Sequence, residues 1–217
     1  PLTSGPIAVF LAIEQGPRFA QLAADGSLQG TAAQAAFAAA YACLARDRPW
    51  TKCLLGASLS FVASGFLLRF LGLPTIALVV VACAALAAAA WTIGSPAAEA
   101  GPAEAPKWDL PLRMIVATAL VLSITSIATV LGPTLSGLAA TFPVFAAVLS
   151  VFAHRHEGAP AAQGVLRGLV LGLFGFVGFF TTVSLLVTRI TLPSVFAAAL
   201  VVDVLISVAA YPVVRRR

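Results

Sequence analysis

Residues 114–153 read MIVATALVLSITSIATVLGPTLSGLAATFPVFAAVLSVFA and contain no charged side chain. A membrane-spanning helix needs about 20 predominantly apolar residues, so this stretch is long enough for two such helices. Gly132, Pro133 and Thr134 supply the turn between them, because glycine and proline interrupt helices more strongly than other residues. The stretch therefore predicts an α-helical integral membrane protein.

The composition of the whole chain supports this interpretation. Charged residues make up 10% of the sequence and hydrophobic residues 60%, whereas soluble domains carry about 25% charged residues. The formal net charge is +5, but apart from residues 215–217 the basic residues stand mostly alone at the ends of apolar runs. No basic stripe with interleaved aromatic residues occurs, so a nucleic acid is not an expected partner. The expected partner is the lipid bilayer.

Eight runs of sequence are predicted to form helices. The six strongest cover 53–71, 74–94, 110–131, 136–153, 161–187 and 193–214. Two weaker runs cover 3–23 and 29–45, and we expect them to be less apolar helices shielded by their neighbours, since alanine favours close helix packing in lipid. The fold class predicted is an all-α bundle of about eight membrane spans.

The most polar segment divides the chain into two halves of similar length. Residues 94–109 read GSPAAEAGPAEAPKWD and have no apolar period, which is typical of a linker. We predict a first membrane repeat over 1–93, a linker over 94–109, and a second membrane repeat over 110–217. The chain starts at Pro1, so the first repeat is expected to lack an N-terminal helix.

The distribution of basic residues predicts the orientation of the bundle, because Lys and Arg favour cytoplasmic loops. Counting spans back from a cytoplasmic C-terminus places ten basic residues inside and three outside. The outside group is Arg18, Arg69 and Arg189; the inside group is Arg46, Arg48, Lys52, Lys107, Arg113, Arg155, Arg167 and residues 215–217. The linker and the C-terminus are therefore predicted to face the cytoplasm.

The two halves share a weak internal repeat. Ser4-Gly5 with Phe10 corresponds to Ser136-Gly137 with Phe142, and Gly26 corresponds to Gly158 ahead of a Gln-Gly pair. Under the predicted topology the two motifs start on opposite sides, so the repeat would be inverted, with 74–94 as the extra helix. A second alignment, which pairs Leu73-Pro74-Thr75 with Leu192-Pro193-Ser194, leaves no extra helix. Inverted repeats are a common plan of secondary transporters.

Residues 137–158, GLAATFPVFAAVLSVFAHRHEG, carry a family resemblance. The order of Gly137, Phe142-Pro143, Phe145-Ala146 and Ala153-His154 along one helix resembles the small bacterial GlpM-type inner-membrane proteins. The chain is similar to a double-length version of that family over about half its length. This resemblance implies a bacterial inner-membrane location and a link to envelope polysaccharide production, and it implies no reaction.

Ionisable groups within apolar runs are the candidate binding residues, because such groups are costly in a bilayer and usually functional. Asp203 lies near the middle of 193–214, where it could bind a proton or a cation or act as a structural carboxylate. Glu14 lies four residues before Arg18, and an acidic residue four positions ahead of a basic one favours an ion pair on one helix face. Arg18 is the alternative candidate for an anion site.

Other polar or helix-breaking residues give weaker indications. Pro143 is predicted to kink its helix and, if the kink lies opposite Asp203, to mark a substrate or gating point. The sequence His154-Arg155-His156-Glu157 contains zinc-type ligands, but two histidines at positions i and i+2 diverge on a helix. The three cysteines, Cys43, Cys53 and Cys83, have no metal-ligand spacing. No cofactor and no metal site is predicted.

Two functions fit these patterns. The first is a transporter or permease for a small solute, built at the interface of the repeats. The second is a non-transporting membrane subunit or scaffold that supports envelope polysaccharide assembly, with a second copy of the chain or another membrane subunit as its partner. The sequence contains no Gly-x-Ser-x-Gly motif, phosphate loop or pair of carboxylates on one helix, so we do not expect an enzyme.

Overall fold

The computed structural model describes residues 12–14, 16–94, 114–115, 118–119 and 142–215, with side chains up to residue 210. All regular secondary structure in these residues is helical, which confirms the all-α prediction at this level. The six helices with described bounds are α1 (Pro17–Leu44), α2 (Trp50–Leu71), α3 (Thr75–Ile93), α4 (Val144–Glu157), α5 (Ala159–Leu186) and α6 (Leu192–Arg215).

Helix α1 lies at the centre of the described bundle. It packs against α2, α3 and α5, while α5 also packs against α3, α4 and α6. A stripe of small residues on α1 allows this close approach, since small side chains let helix backbones come near each other. The buried stripe includes Ala20, Ala24, Leu28, Thr31, Ala35, Ala38 and Ala42, spaced three or four residues apart.

Helices α1 and α5 run antiparallel, as contacts at both of their ends show. Asp25, near the start of α1, accepts a hydrogen bond from Ser184, near the end of α5. Gln163, near the start of α5, donates to the carbonyl of Ala42, near the end of α1. The two helices also have the same length, 28 residues.

The same kind of turn precedes α1 and α5. Gly16 has φ 87° and ψ 168°, and Gly158 has φ 89° and ψ −176°, a backbone conformation that is essentially restricted to glycine. A proline follows in the first helical turn in both cases, Pro17 and Pro160. Proline is favoured there because the first N–H groups of a helix have no partner within the helix.

Basic residues collect at one end of the bundle, which we call the basic end. Here Arg46 donates to the carbonyl of Thr92 at 3.1 Å, and the guanidinium of Arg155 lies 5.4 Å from the ring centroid of Trp50. The basic end carries Arg46, Arg48, Lys52, Arg155 and Arg167 near the helix ends, whereas the opposite end, called the far end, carries Arg18, Arg69 and Arg189. This grouping is the one predicted from charge counting.

Four of the described helices are long and apolar enough to cross a membrane: α2, α3, α5 and residues Leu192–Ala210 of α6. Their bounds agree with the predicted runs 53–71, 74–94, 161–187 and 193–214 to within a few residues. Most of the predicted run 110–131 and residues 94–109 beyond Gly94 lie outside the described residues, as does the first part of 136–153. The eight-span count thus stays a prediction.

One predicted boundary is wrong. Runs 3–23 and 29–45 were expected to be separate helices, but α1 continues from Pro17 to Leu44 without a break. The residues taken for a loop, Asp25 and Gly26, are helical. Local sequence favoured a turn at this point because Asp and Gly are poor helix formers, but packing of the stripe against three helices outweighs that preference.

Candidate functional site

Asp203 lies halfway along α6, on the side that packs against α5. It is eleven residues after the first residue of α6, which corresponds to roughly 16 Å along the axis, or about half of a 30 Å hydrocarbon core. The side chain is half-buried, and its carboxylate lies against Gly175 of α5. The carboxylate therefore faces a neighbouring helix near the middle of a candidate membrane span.

Two glycines of α5 make room for this contact. A Cβ atom at Gly175 would lie 2.7 Å from the Oγ of Ser207 and would collide with the carboxylate of Asp203. A Cβ atom at Gly178 would lie 3.1 Å from Val202 Cγ1. By contrast, a Cβ atom at Gly168 or Gly172 would meet nothing within 4 Å. Of these four glycines, only two therefore set the approach of α6.

Within the described part of the chain, no hydrogen bond or ion pair reaches the Asp203 carboxylate. Ser207, one helical turn further along α6, shares the Gly175 contact with Asp203. Asp203 thus has few polar neighbours among the described residues.

Glu14 and Arg18 do not form the predicted helical pair. The described residues on either side of Gly16 belong to separate helical segments, because the ψ angle of Gly16 is extended. Both side chains are exposed, and no ion pair joins them. The spacing of four residues was correct for a helix, but the Gly16-Pro17 turn between them was not recognised.

Pro143 does not kink a helix in the described residues. It immediately precedes α4, whose first residue is Val144, and the adjacent Phe142 ring contacts those of Phe37 and Phe61 at centroid distances of 6.1 and 5.6 Å. These rings belong to α1 and α2, whereas Asp203 packs on α5. The described residues therefore give no support to a kink opposite Asp203, and residues 136–141 of the predicted helix lie outside them.

A polar cluster that the sequence did not predict joins α1, α3 and α5 near the far end. The carboxylate of Asp25 accepts hydrogen bonds from the hydroxyls of Thr75 at 2.9 Å and of Ser184 at 2.7 Å. Those two hydroxyls are also 3.3 Å from each other. Hydrogen bonds to a charged group stabilise by about 1.5–3 kcal/mol each, so the cluster holds three helices together.

The position of Asp25 also suits the electrostatics of α3. Thr75 is the first residue of that helix, and the N-terminus of a helix carries a partial positive charge from its unpaired N–H groups. Asp25 therefore stabilises the start of α3 both through its hydrogen bond and through its charge.

The opposite end of α3 is held by a basic residue. The guanidinium of Arg167, on α5, donates a hydrogen bond to the carbonyl of Gly94 and lies 3.5 Å from that of Ala90. Carbonyls at a helix C-terminus carry a partial negative charge, so a cation is stabilised there. Helix α3 thus has a carboxylate from α1 at its start and a guanidinium from α5 at its end.

A second buried polar group lies where α4 meets α1 at the basic end. The hydroxyl of Tyr41 is 3.3 Å from Nδ1 of His154, and Tyr41 and Ser150 are fully buried. His156 instead stacks on Phe152, with ring centroids 6.1 Å apart. The two histidines therefore have different neighbours, and the described residues contain no group of three metal ligands.

Comparisons with protein-family models, with curated proteins and with solved structures find no match to this chain. The resemblance to GlpM-type proteins therefore stays a prediction. Asp203 was a sequence prediction, whereas Asp25 and Arg167 as partners of α3 were not. The uninterrupted stripe from Ala20 to Ala42 was the signal that could have placed Asp25 inside a helix.

Proposed function

We propose that this integral membrane protein transports a small solute by alternating access, with α1 and α5 as the equivalent helices of an inverted repeat. The observation that carries the proposal is the paired attachment of α3, by Asp25 of α1 at one end and by Arg167 of α5 at the other. Transporters of this plan change access by exchanging the conformations of their two repeats.

The positions of the two attachments support the equivalence of α1 and α5. Asp25 lies nine residues after Gly16, and Arg167 lies nine residues after Gly158. Both glycines have the same backbone conformation, both helices contain 28 residues, and the two run antiparallel. This pairing aligns Gly158 with Gly16 rather than with Gly26, and α3 takes the place of the extra helix.

Under this proposal the two attachments are the gates of the transporter. Opening the far end separates Asp25 from Thr75 and Ser184, and opening the basic end separates Arg167 from the final carbonyls of α3. Alternating access requires that opening one end favours closure of the other. A static scaffold has no such requirement, so coupling between the ends distinguishes the two functions.

The test measures this coupling with cysteines at the two ends of α3. Cys43, Cys53 and Cys83 are replaced by alanine, and one cysteine is placed at Ala77 or at Ala90, which are both partly buried. Maleimide labelling from the water phase is then measured in liposomes with Asp25→Asn, with Arg167→Gln, and without either substitution. The exposed Asp47 gives the control variant Asp47→Asn.

We expect Asp25→Asn to raise labelling at Ala77→Cys and to lower it at Ala90→Cys, by several-fold in each case, because weakening one gate populates the state that is closed at the other. Arg167→Gln should do the reverse, and Asp47→Asn should change neither. If each substitution loosens only its own end, the coupling is absent. The alternative of a non-transporting membrane subunit would then be favoured.

A further inference from the structure

Exposed basic residues lie at the start of α2, on the basic end of the bundle. Arg48 precedes the helix by two residues, Lys52 belongs to its first turn, and Arg155 reaches the same place from the last turn of α4. The other two basic residues described at this end, Arg46 and Arg167, bind backbone carbonyls at the end of α3. The start of α2 is therefore a positively charged surface between α2 and α4.

Nearby acidic residues offset this positive charge only in part. In the described part of the basic end they are Asp47, which lies between α1 and α2, and Glu157, the last residue of α4. The first turn of α2 contains no acidic residue, although the partial positive charge of a helix N-terminus favours one there. A ligand that suits this surface carries negative charge.

Two tryptophans indicate the depth of this surface in a bilayer. Trp50 is the first residue of α2, and the guanidinium of Arg155 lies 5.4 Å from the centroid of its ring. Trp91, near the end of α3, is 84% exposed. Tryptophan is enriched where the acyl chains of a bilayer meet the headgroups. The neighbouring basic side chains therefore lie at the depth of the lipid phosphates.

An apolar strip on α2 continues from the basic residues toward the middle of the helix. Leu55 and Leu59 follow Lys52 at intervals of three and four residues, which places them on the same face of the helix. They are 66% and 70% exposed. A phospholipid matches both features, because its charged headgroup and its acyl chains belong to one molecule. A nucleic acid or an acidic protein in water would match the charge alone.

We propose that the start of α2 binds an anionic phospholipid of the surrounding bilayer, such as phosphatidylglycerol. The phosphate is bound by Arg48, Lys52 and Arg155, and an acyl chain lies along the apolar strip. Clusters of Lys and Arg at the cytoplasmic surface of membrane helices recognise anionic headgroups by the same electrostatic attraction. Because Arg155 belongs to α4, the lipid also links α4 to α2. The site does not depend on the transport function proposed above.

Lipid-dependent thermal stability tests the site. The full chain is melted in detergent, with fluorescence detection, after titration with dioleoyl phosphatidylglycerol or with dioleoyl phosphatidylcholine, which has no net charge. We expect phosphatidylglycerol to raise the melting temperature by several degrees more, because a ligand that binds the folded state stabilises it. Lys52→Gln and Arg155→Gln should each weaken the affinity for phosphatidylglycerol about fivefold, and the double variant should respond equally to both lipids.

Arg69→Gln is the matched control, because Arg69 is exposed at the opposite end of the same helix. It should keep the full response to phosphatidylglycerol. The two lipids are compared within each variant, so a general loss of stability cancels. Equal effects of the two lipids on the native protein would overturn the site. A loss of response in Arg69→Gln as large as that in Lys52→Gln would also overturn it, since the lipid would then respond to overall charge.

Two other occupants of this surface give different results. Glycerol 3-phosphate carries a phosphate without acyl chains, and we expect no shift at the same concentration. An equal shift would indicate a site for a soluble anion and would overturn the lipid site. A melting temperature that rises with protein concentration and ignores both lipids would indicate a second copy of the chain on this surface, and it would overturn the lipid site as well.

Discussion

Gly175 shows how a single residue controls the distance between two helices. Its missing side chain leaves room for Asp203 and Ser207, whereas Gly172, one turn earlier on α5, has nothing within 4 Å. Overpacking a close contact typically costs about 1–3 kcal/mol. In an open helical position, replacing glycine by alanine instead gains up to about 1 kcal/mol.

These two glycines give a matched pair of substitutions. Gly175→Ala should lower the thermal unfolding temperature in detergent, because the new Cβ displaces Asp203 and Ser207, and Gly172→Ala should leave it unchanged or raise it. Fluorescence-monitored melting of both variants is the measurement. Equal behaviour of the two would mean that α6 does not pack at Gly175.

The contact between His154 and Tyr41 predicts a dependence of stability on pH at the basic end. Burial lowers the pKa of His154 below its usual value, so the unfolded chain binds this proton more readily than the folded protein. The contribution of neutral His154 to the free energy of unfolding is therefore present above about pH 6.5, the pKa of histidine in the unfolded chain. It is lost as the pH falls through the pKa of His154 in the folded protein. Cys53 and Tyr41 are the titratable groups of α2 and α1 in this region.

We expect the native protein to lose more thermal stability between pH 8 and pH 5 than the variant His154→Gln does. The variant His156→Gln serves as the control, because His156 stacks on Phe152 rather than contacting Tyr41. Melting curves at several pH values check this. A pH dependence that is the same in His154→Gln and in the native protein would contradict it.

At the residue scale, sequence patterns identified the ionisable group with the clearest position. Asp203 stands alone in an apolar run, so its depth follows from counting residues. Asp25 could not be found in the same way, since its role depends on Thr75 and Ser184, which are distant in sequence. The Glu14–Arg18 prediction failed because a single glycine angle redirects the chain between them.

At the scale of elements, α1 and α5 depend on the glycines that precede them. A Cβ atom at Gly16 would meet nothing within 4 Å, and one at Gly158 would meet only Pro160 Cδ at 3.8 Å. Neither glycine is therefore needed to avoid a steric clash with another part of the bundle. Both are required by their backbone angles, which other residues adopt only at a cost of about 1–3 kcal/mol.

Gly16→Ala and Gly158→Ala should therefore both destabilise the protein, and to a similar extent. The control is Gly168→Ala, which places a methyl group in open space on the helical backbone of α5 and should be neutral or stabilising. Thermal melting in detergent compares the three variants. Destabilisation by Gly168→Ala equal to that by Gly158→Ala would show that strain at the turn is not the cause.

The bounds of the helices were predictable to different degrees. The ends of α2 and α3 were predicted to within one residue, because in each case a strongly apolar helix is followed by a glycine, Gly72 or Gly94. The bounds of α1 were not predicted, because alanine and glutamine give a weak apolar signal. What holds α1 together is its contact with three other helices, which cannot be read from the segment alone.

At the scale of the whole molecule, α3 marks the thickness of the apolar layer. Its 19 residues correspond to about 28 Å of helix, close to the 30 Å hydrocarbon core of a typical bilayer. Asp25 and Arg167 lie at its two ends. The longer helices α1 and α5 extend beyond α3 at opposite ends, as expected for a bundle whose far end and basic end lie at the two surfaces of a bilayer.

The unequal basic charge of these two surfaces predicts the orientation of the protein. In the described residues five basic side chains near the helix ends belong to the basic end and three to the far end, and Lys and Arg favour the cytoplasmic side. Fusions of green fluorescent protein and of alkaline phosphatase distinguish the two sides, because the first fluoresces in the cytoplasm and the second is active outside it.

We expect fusions at Ala103 and after Arg217 to be fluorescent and a phosphatase fusion at Arg189, in the turn between α5 and α6, to be active. The three sites test the bundle independently: Ala103 follows α3, Arg217 follows α6, and Arg189 lies at the far end. Phosphatase activity at Ala103 and Arg217 together with fluorescence at Arg189 would reverse the orientation and leave the helix directions intact. Opposite results at Ala103 and Arg217 would instead contradict the antiparallel order of the helices, because α3 and α6 both end at the basic end.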